Sequence, residues 1–260
     1  MNYKYLLYQK EDGIGLVTIN RPKLLNLLDS QVFAEALKLF QEIEDDPEVG
    51  VVILTGSGQK AFIAGVDVSG MKDNNSVEIE AFVSIARKTG DRIFTLSKPV
   101  IAAVNGFALG GGWEMVMNCD LIIASQNAKF GNPEISLGIV PGGGAMQKLA
   151  RTVGLARAKE LVYTGDIIDA DRALAMGLIN KVVPLESLMT EAKALAKKLL
   201  SKSGVALSFA KKAINSGTAM SLEAGIDLDE TFFARCFDTE DQKEGMSAFL
   251  EKRNPQFKNR

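Results

Sequence analysis

The chain contains no histidine in its 260 residues. That excludes Ser-His-Asp and Cys-His catalysis and most zinc sites. It leaves Glu, Asp, Lys, Tyr and Cys as the side chains able to serve as general acid or base. Cysteine is scarce too: Cys119 and Cys236 are too few and too scattered for a disulfide framework or a metal site. Such usage fits a reducing, cytoplasmic setting. No apolar run approaches the ~20 residues that a membrane helix needs. The opening Met1-Asn2-Tyr3-Lys4-Tyr5 has neither the apolar segment of a secretory signal nor the composition of a transit peptide. Neither sign of charge dominates: 30 Lys and Arg stand against 32 Asp and Glu, a net charge of −2. No broad basic face for nucleic acid is implied.

What is present is an ordinary globular balance, 47% hydrophobic and 24% charged, in a length that can bury one large core. Residues 3–9 and 14–19 read as strands joined at Asp12-Gly13, a hairpin signal. Asp29 or Ser30 caps a helix with the apolar stripe Val32, Phe33, Ala36, Leu37, Phe40 and Ile43. Val49–Leu54, Val100–Val104 and Leu121–Ala124 read as buried strands, with a helix over 76–96 between the first two. This alternation predicts an α/β fold with a largely parallel sheet. Residues 142–162 give two short helices around Gly154. After Pro184 the texture turns helical, over 185–201, 204–216, 221–235 and 238–250. We divide the chain into an α/β core, 1–190, and a helical C-terminal region, 191–260.

Two glutamates stand out. Glu114 lies in Gly110-Gly111-Gly112-Trp113-Glu114-Met115-Val116, and Glu134 in Phe130-Gly131-Asn132-Pro133-Glu134-Ile135. A carboxylate among apolar neighbours is costly to bury, so it is usually absent, paired or functional. The three glycines expose backbone N–H groups and, where they open a helix, aim its dipole at a developing negative charge. Two carboxyls beside an N–H cradle suit proton transfer next to an oxyanion. The plainer alternative is a glutamate on a helix surface and another in a turn. Trp113 fits the core as a large aromatic does, or shapes a pocket.

Other motifs are weaker. Gly56-Ser57-Gly58-Gln59-Lys60-Ala61 matches a dinucleotide fingerprint, but Phe62-Ile63-Ala64-Gly65 does not open the required helix, so a surface turn is expected. Ser57-Gly58-Gln59-Lys60 and Lys88-Thr89-Gly90 are short chance matches to S-x-x-K and K-T-G.

Taken together, Asn20-Arg21-Pro22-Lys23-Leu24-Leu25-Asn26, Ala61 to Asp67, Lys98 to Gly106, the glycine triplet, both glutamates, Gly138-Ile139-Val140-Pro141-Gly142, Tyr163-Thr164-Gly165-Asp166 and Glu244 to Arg253 resemble the crotonase (enoyl-CoA hydratase/isomerase) superfamily. The resemblance covers nearly the whole chain. It implies a spiral of ββα units followed by trimerisation helices. It implies Glu114 and Glu134 as catalytic carboxylates, and the N–H groups of Val66 and Gly111 as an oxyanion hole. It also implies CoA or substrate contacts at Lys23, Ala64, Gly65, Asp67, Val68, Phe249 and Lys252, the last two reaching a neighbouring subunit. The expected reaction is reversible syn hydration of an enoyl-CoA. An isomerase, a cyclic dienoyl-CoA hydratase and a silent acyl-CoA-binding protein are the alternatives. CoA would enter as part of the substrate, with no metal or other cofactor, and a trimer or dimer of trimers is implied. Two positions depart from the family pattern. Ser69 stands where hydratases often carry lysine, with Lys72 three residues on. Gly143-Gly144-Ala145-Met146-Gln147-Lys148 stands for the usual Gly-Gly-Thr-Gln-Arg, a change expected beside Glu134.

Overall fold

The computed structural model describes residues 3–260; Met1 and Asn2 lie outside it. The Asp12-Gly13 turn, with both residues at positive φ, joins β1 (Leu6–Glu11) to β2 (Ile14–Ile19) in antiparallel register, Glu11 opposite Ile14. Helix α1 (Ser30–Asp45) follows, its Asp29 carboxylate accepting the N–H groups of Gln31 and Val32 at 2.9 Å each. Its buried stripe runs through Leu39, not the expected Leu37, which is only half-buried.

Pairs of strands divided between two sheets then follow. Strands β3 (Val51–Gly56) and β4 (Ala61–Ile63) lead to α2 (Ser76–Thr95). Strands β5 (Val100–Val104) and β6 (Phe107–Leu109) lead to α3 (Gly111–Val116). Strands β7 (Leu121–Ser125) and β8 (Lys129–Gly131) lead to a 3-10 turn, Pro133–Leu137, and then to α4 (Ala145–Val153) and α5 (Leu155–Thr164), which break at Gly154. The chain continues through β9 (Ile168–Asp169), α6 (Ala170–Ala175) and β10 (Lys181–Val183) into α7 (Leu188–Leu200). Each of the β3–β4, β5–β6 and β7–β8 pairs gives one strand to each of two sheets. One sheet is ordered β1-β2-β3-β5-β7-β10, parallel beyond the first pair; the other is β4-β6-β8-β9.

Alternation along the strands builds the core. Val52 and Leu54 face the main cluster with α1, while Val51 and Ile53 face Leu188, Ala192 and Ala196 of α7. The expected boundary at residue 190 thus falls inside α7, a helix packed on the six-stranded sheet. Helices α8 (Gly204–Gly217), α9 (Leu222–Cys236) and α10 (Glu240–Leu250) complete the chain. Lys211 of α8 ties them to the core: its ammonium pairs with Asp120 at 2.7 Å. No helix among the described residues is long and apolar enough to cross a membrane. Between β3 and β4 there is no helix, so the Gly56–Ala61 segment is the surface turn expected of it.

Candidate active site

Helix α3 starts where β6 ends, and the joint is Gly110, at φ +51° and ψ −123°, a conformation that side-chain-bearing residues rarely adopt. A Cβ there would sit 3.0 Å from Glu134 Oε1. At Gly111 a Cβ would meet Val66 Cγ2 at 2.7 Å. The glycines therefore let the start of α3 close onto both Glu134 and the Val66 side chain.

Val66 forms a parallel bridge with Leu28. The two bonds of that bridge run from Leu28 N–H to Gly65 O (3.0 Å) and from Asp67 N–H to Leu28 O (2.8 Å). They flank Val66, so its own N–H points away from Leu28. The first N–H groups of a helix lack an intrahelical acceptor, and Gly111 opens α3. Neither Val66 N–H nor Gly111 N–H donates to an acceptor among the described residues.

Glu114 lies in the first turn of α3. Its Oε1 accepts the N–H of Gly143 at 2.6 Å and of Ala145 at 3.2 Å, at the start of α4. Burial nevertheless pushes its carboxyl up to about 7. The Glu134 charge adds to this, while the two N–H groups and Lys148 oppose it. Glu134, in the 3-10 turn, is also raised by burial, against a weak contact from Asn132 Nδ2 at 3.4 Å. Its Oε2 is buried with no partner among the described residues. An orphaned carboxylate oxygen of that kind is costly and calls for a ligand to explain it.

Glu114, Glu134, Val66 and Gly111 line one cavity of about 320 Å³, together with Ala64, Gly65 and Val68. The other expected contacts lie elsewhere. Asp67 turns back to accept the N–H (3.0 Å) and hydroxyl (2.6 Å) of Ser69, which hold its carboxyl below the usual range. It is therefore a cap for the 3-10 turn Val68–Gly70 and not part of the cavity wall, and Ser69 completes that cap. Lys23 is exposed in the turn Pro22–Leu24. Phe249 is 82% exposed at the end of α10, and Lys252 is exposed just beyond it; neither joins this chain's cavity.

Trp113 is a core residue, 1% exposed and packed on Phe130 at 4.9 Å between ring centroids. The Gly143–Lys148 segment, expected beside Glu134, donates the N–H groups of Gly143 and Ala145 to Glu114. Three contributions escape sequence reasoning: those N–H groups, the buried Asn118, and the cavity wall of Ile79, Phe82 and Val83 from α2. Only the last leaves a trace in the sequence, as apolar residues at i, i+3 and i+4 of a helix.

A two-sheet ββα spiral whose glycine-opened helix brings two carboxyls to a pair of free N–H groups defines the crotonase class of protein. The family model described as enoyl-CoA hydratase/isomerase matches residues 9–260, and the chain belongs to that family. It is 49% identical to a short-chain-enoyl-CoA hydratase of Clostridium acetobutylicum, over 100% of both chains. It is 45% identical to a crotonyl-CoA hydratase of Syntrophomonas wolfei, over 99% of both. The crystal structure of an enoyl-CoA hydratase from Bacillus anthracis superposes with a TM-score of 0.95 at 36% identity, covering 99% of this chain and 100% of the other.

Proposed function

We propose that the chain catalyses the reversible syn addition of water across the 2,3 double bond of an enoyl-CoA thioester. The observation that carries this reading is the meeting of two burial-raised carboxyls with two unpaired backbone N–H groups in one cavity. The thioester oxygen sits between the N–H groups of Val66 and Gly111, which draws electron density from C3 and stabilises the enolate-like charge formed on attack. Glu114, ionised and held by Gly143 and Ala145, takes a proton from water as its oxygen bonds to C3. Glu134, protonated, gives its proton to C2. Dehydration runs the same steps backwards. An isomerase needs to shuttle one proton and can do so with one carboxylate; the presence of both favours hydration.

CoA arrives with the substrate, so these steps call for no resident cofactor. The backbone at Ala64 and Gly65 receives the adenine side of CoA, and Lys23 meets its phosphates. Phe249 and Lys252 complete the site of a neighbouring copy in a trimer or dimer of trimers, for which the exposed Leu222, Ile226 and Phe233 of α9 provide apolar surface. Two free cysteines accord with a cytoplasmic setting. The test is loss of the enoyl-thioester absorbance when crotonyl-CoA is added, followed across acyl chains of increasing length and a cyclic diene. Hydration of at least one member supports the reading. Double-bond migration without water uptake by every substrate tried would replace it with isomerisation.

A further inference from the structure

We propose that Lys148 is a positioning residue for this reaction: its half-buried side chain clamps the end of α3, and its ammonium supplies the positive charge that favours the carboxylate form of Glu114. The proposal rests on the reading of Glu114 as the base.

The clamp is visible in the hydrogen bonds. Lys148 Nζ donates to Met117 O at 3.1 Å, just past the last turn of α3, and to Asn118 Oδ1. It also lies over the Phe94 ring, 4.3 Å from its centroid. Asn118 passes the contact on, donating Nδ2 to the Glu114 carbonyl at 2.8 Å. Before and at the start of α4, the N–H groups of Gly143 and Ala145 hold the Glu114 carboxylate. Helix α4 therefore grips the six-residue α3 at both ends. A six-residue helix has little stability of its own, so its position depends on such tertiary contacts.

The charge argument follows from what surrounds Lys148. Both of its hydrogen-bond acceptors are neutral oxygens. The ionisable groups facing it are Cys119 and Asp120 after α3, Asp91 on α2 and Glu114 on α3. Burial pushes the Cys119 thiol up to about 12, so it is neutral. Asp120 is matched by Lys211 at 2.7 Å and accepts the Val100 N–H. Asp91 is matched by Arg87 at 3.1 Å. Glu114 is left as the carboxylate with no cation of its own, and any charge on Glu134 disfavours its ionised form further. Burial pulls Lys148 down to about 8, which still leaves it charged at neutral pH. A nearby positive charge favours the ionised carboxyl and offsets part of its desolvation.

The test is the pH profile of kcat/KM, whose acid limb reports the base of the free enzyme. In wild type that limb is expected near pH 7, to which burial pushes the Glu114 carboxyl. In Lys148→Met it moves up by about half a pH unit or more, and in Lys148→Arg, which keeps the charge, it returns to the wild-type position. Lys148→Gln keeps hydrogen-bond donors without the charge and carries the same test if the Met variant does not fold. A folded Met or Gln variant with an unmoved acid limb overturns the proposal, even if its plateau rate falls, because a purely structural clamp would lower the rate without moving the limb. Glu114→Gln separates the two readings. If it retains turnover, the assignment of the base has failed. If it abolishes turnover while the limb in the Lys148 variants stays put, only the role of Lys148 has failed.

Discussion

The N–H of Gly143 donates to Glu114 Oε1 at 2.6 Å, and a Cβ on Gly143 would lie 2.5 Å from Glu114 Oε2. The first residue orients the carboxyl by a short charge-assisted bond; its lack of a side chain leaves the carboxyl room. Both effects act on the same group, which lines one cavity with Val66 and Gly111.

Gly143→Ala therefore displaces the Glu114 carboxylate without touching the core. Since the flexible end of Glu114 can move aside, the cost falls on catalysis more than on stability. We expect kcat for crotonyl-CoA to fall by about 10-fold or more, on the scale of a misplaced reacting group, with the thermal midpoint nearly unchanged. Wild-type turnover in the folded variant would mean that the Gly143 contact does not set the geometry of the base.

Glu114→Gln and Glu134→Gln each remove one proton-transfer group while keeping the shape of the side chain. Each is expected to lower kcat by about 100-fold or more, with a smaller change in KM, because the loss is felt in the transition state. Steady-state hydration of crotonyl-CoA measures both. Near-normal turnover in either variant would remove that residue from the mechanism.

Burial of Glu114 also has a consequence for folding. Its carboxyl titrates at about 7 in the folded chain, above the ordinary 4.5. Between those values the folded state holds the proton more firmly than the unfolded state, so this group makes stability fall as pH rises through that window. Glu114→Gln cannot lose a proton there. Relative to wild type, the variant should gain on the order of 2–3 kcal/mol between pH 5 and pH 8. Glu134, raised in the same direction, interacts with Glu114, so the difference between the two proteins belongs to the pair of carboxyls. Urea midpoints at the two pH values measure the effect; an equal difference at both would show that Glu114 does not titrate in this range.

How much of this was readable from sequence depended on the length over which each signal repeats. Helix α1 announced itself through Asp29 and four turns of apolar spacing, and the buried strands β3 and β5 through unbroken Val, Ile and Ala runs. The second sheet was hidden, because β4, β6, β8 and β9 are two or three residues each, too short to show a period. Yet the ends of those strands deliver Val66, Gly111 and Glu134. The glutamates and the glycine triplet were legible because charge amid apolar sequence is conspicuous. Asp67, which the resemblance implies as a CoA or substrate contact, spends its carboxylate on a local hydrogen bond with Ser69 that the sequence does not announce. The role of Lys148 was not legible, although its segment stood out, since lysine is ordinarily exposed and only the fold shows it half-buried against the end of α3.

Assembly is the remaining expectation, and α10 explains how one chain can serve another. At its end Lys252 takes a positive φ of 57°, and the Arg253 N–H returns to Ala248 O at 3.0 Å. The Arg253 guanidinium holds Glu244 through two bonds of 2.6 and 2.9 Å. That lock pins the turn and leaves Phe249 and Lys252 exposed, away from their own cavity. The exposed Phe249, with Leu222, Ile226 and Phe233, is the apolar surface on which the proposed assembly rests, and closed cyclic symmetry is the form expected of it. Light scattering should give three or six times the 28.0 kDa chain mass. Lys252→Ala should raise KM for crotonyl-CoA several-fold and leave kcat within about two-fold, because a phosphate contact remote from the reacting carbons binds ground and transition states alike. A fully active monomer would end the cross-subunit role of Lys252. A Lys252→Ala oligomer with unchanged KM would end its role as a phosphate contact while leaving the assembly intact.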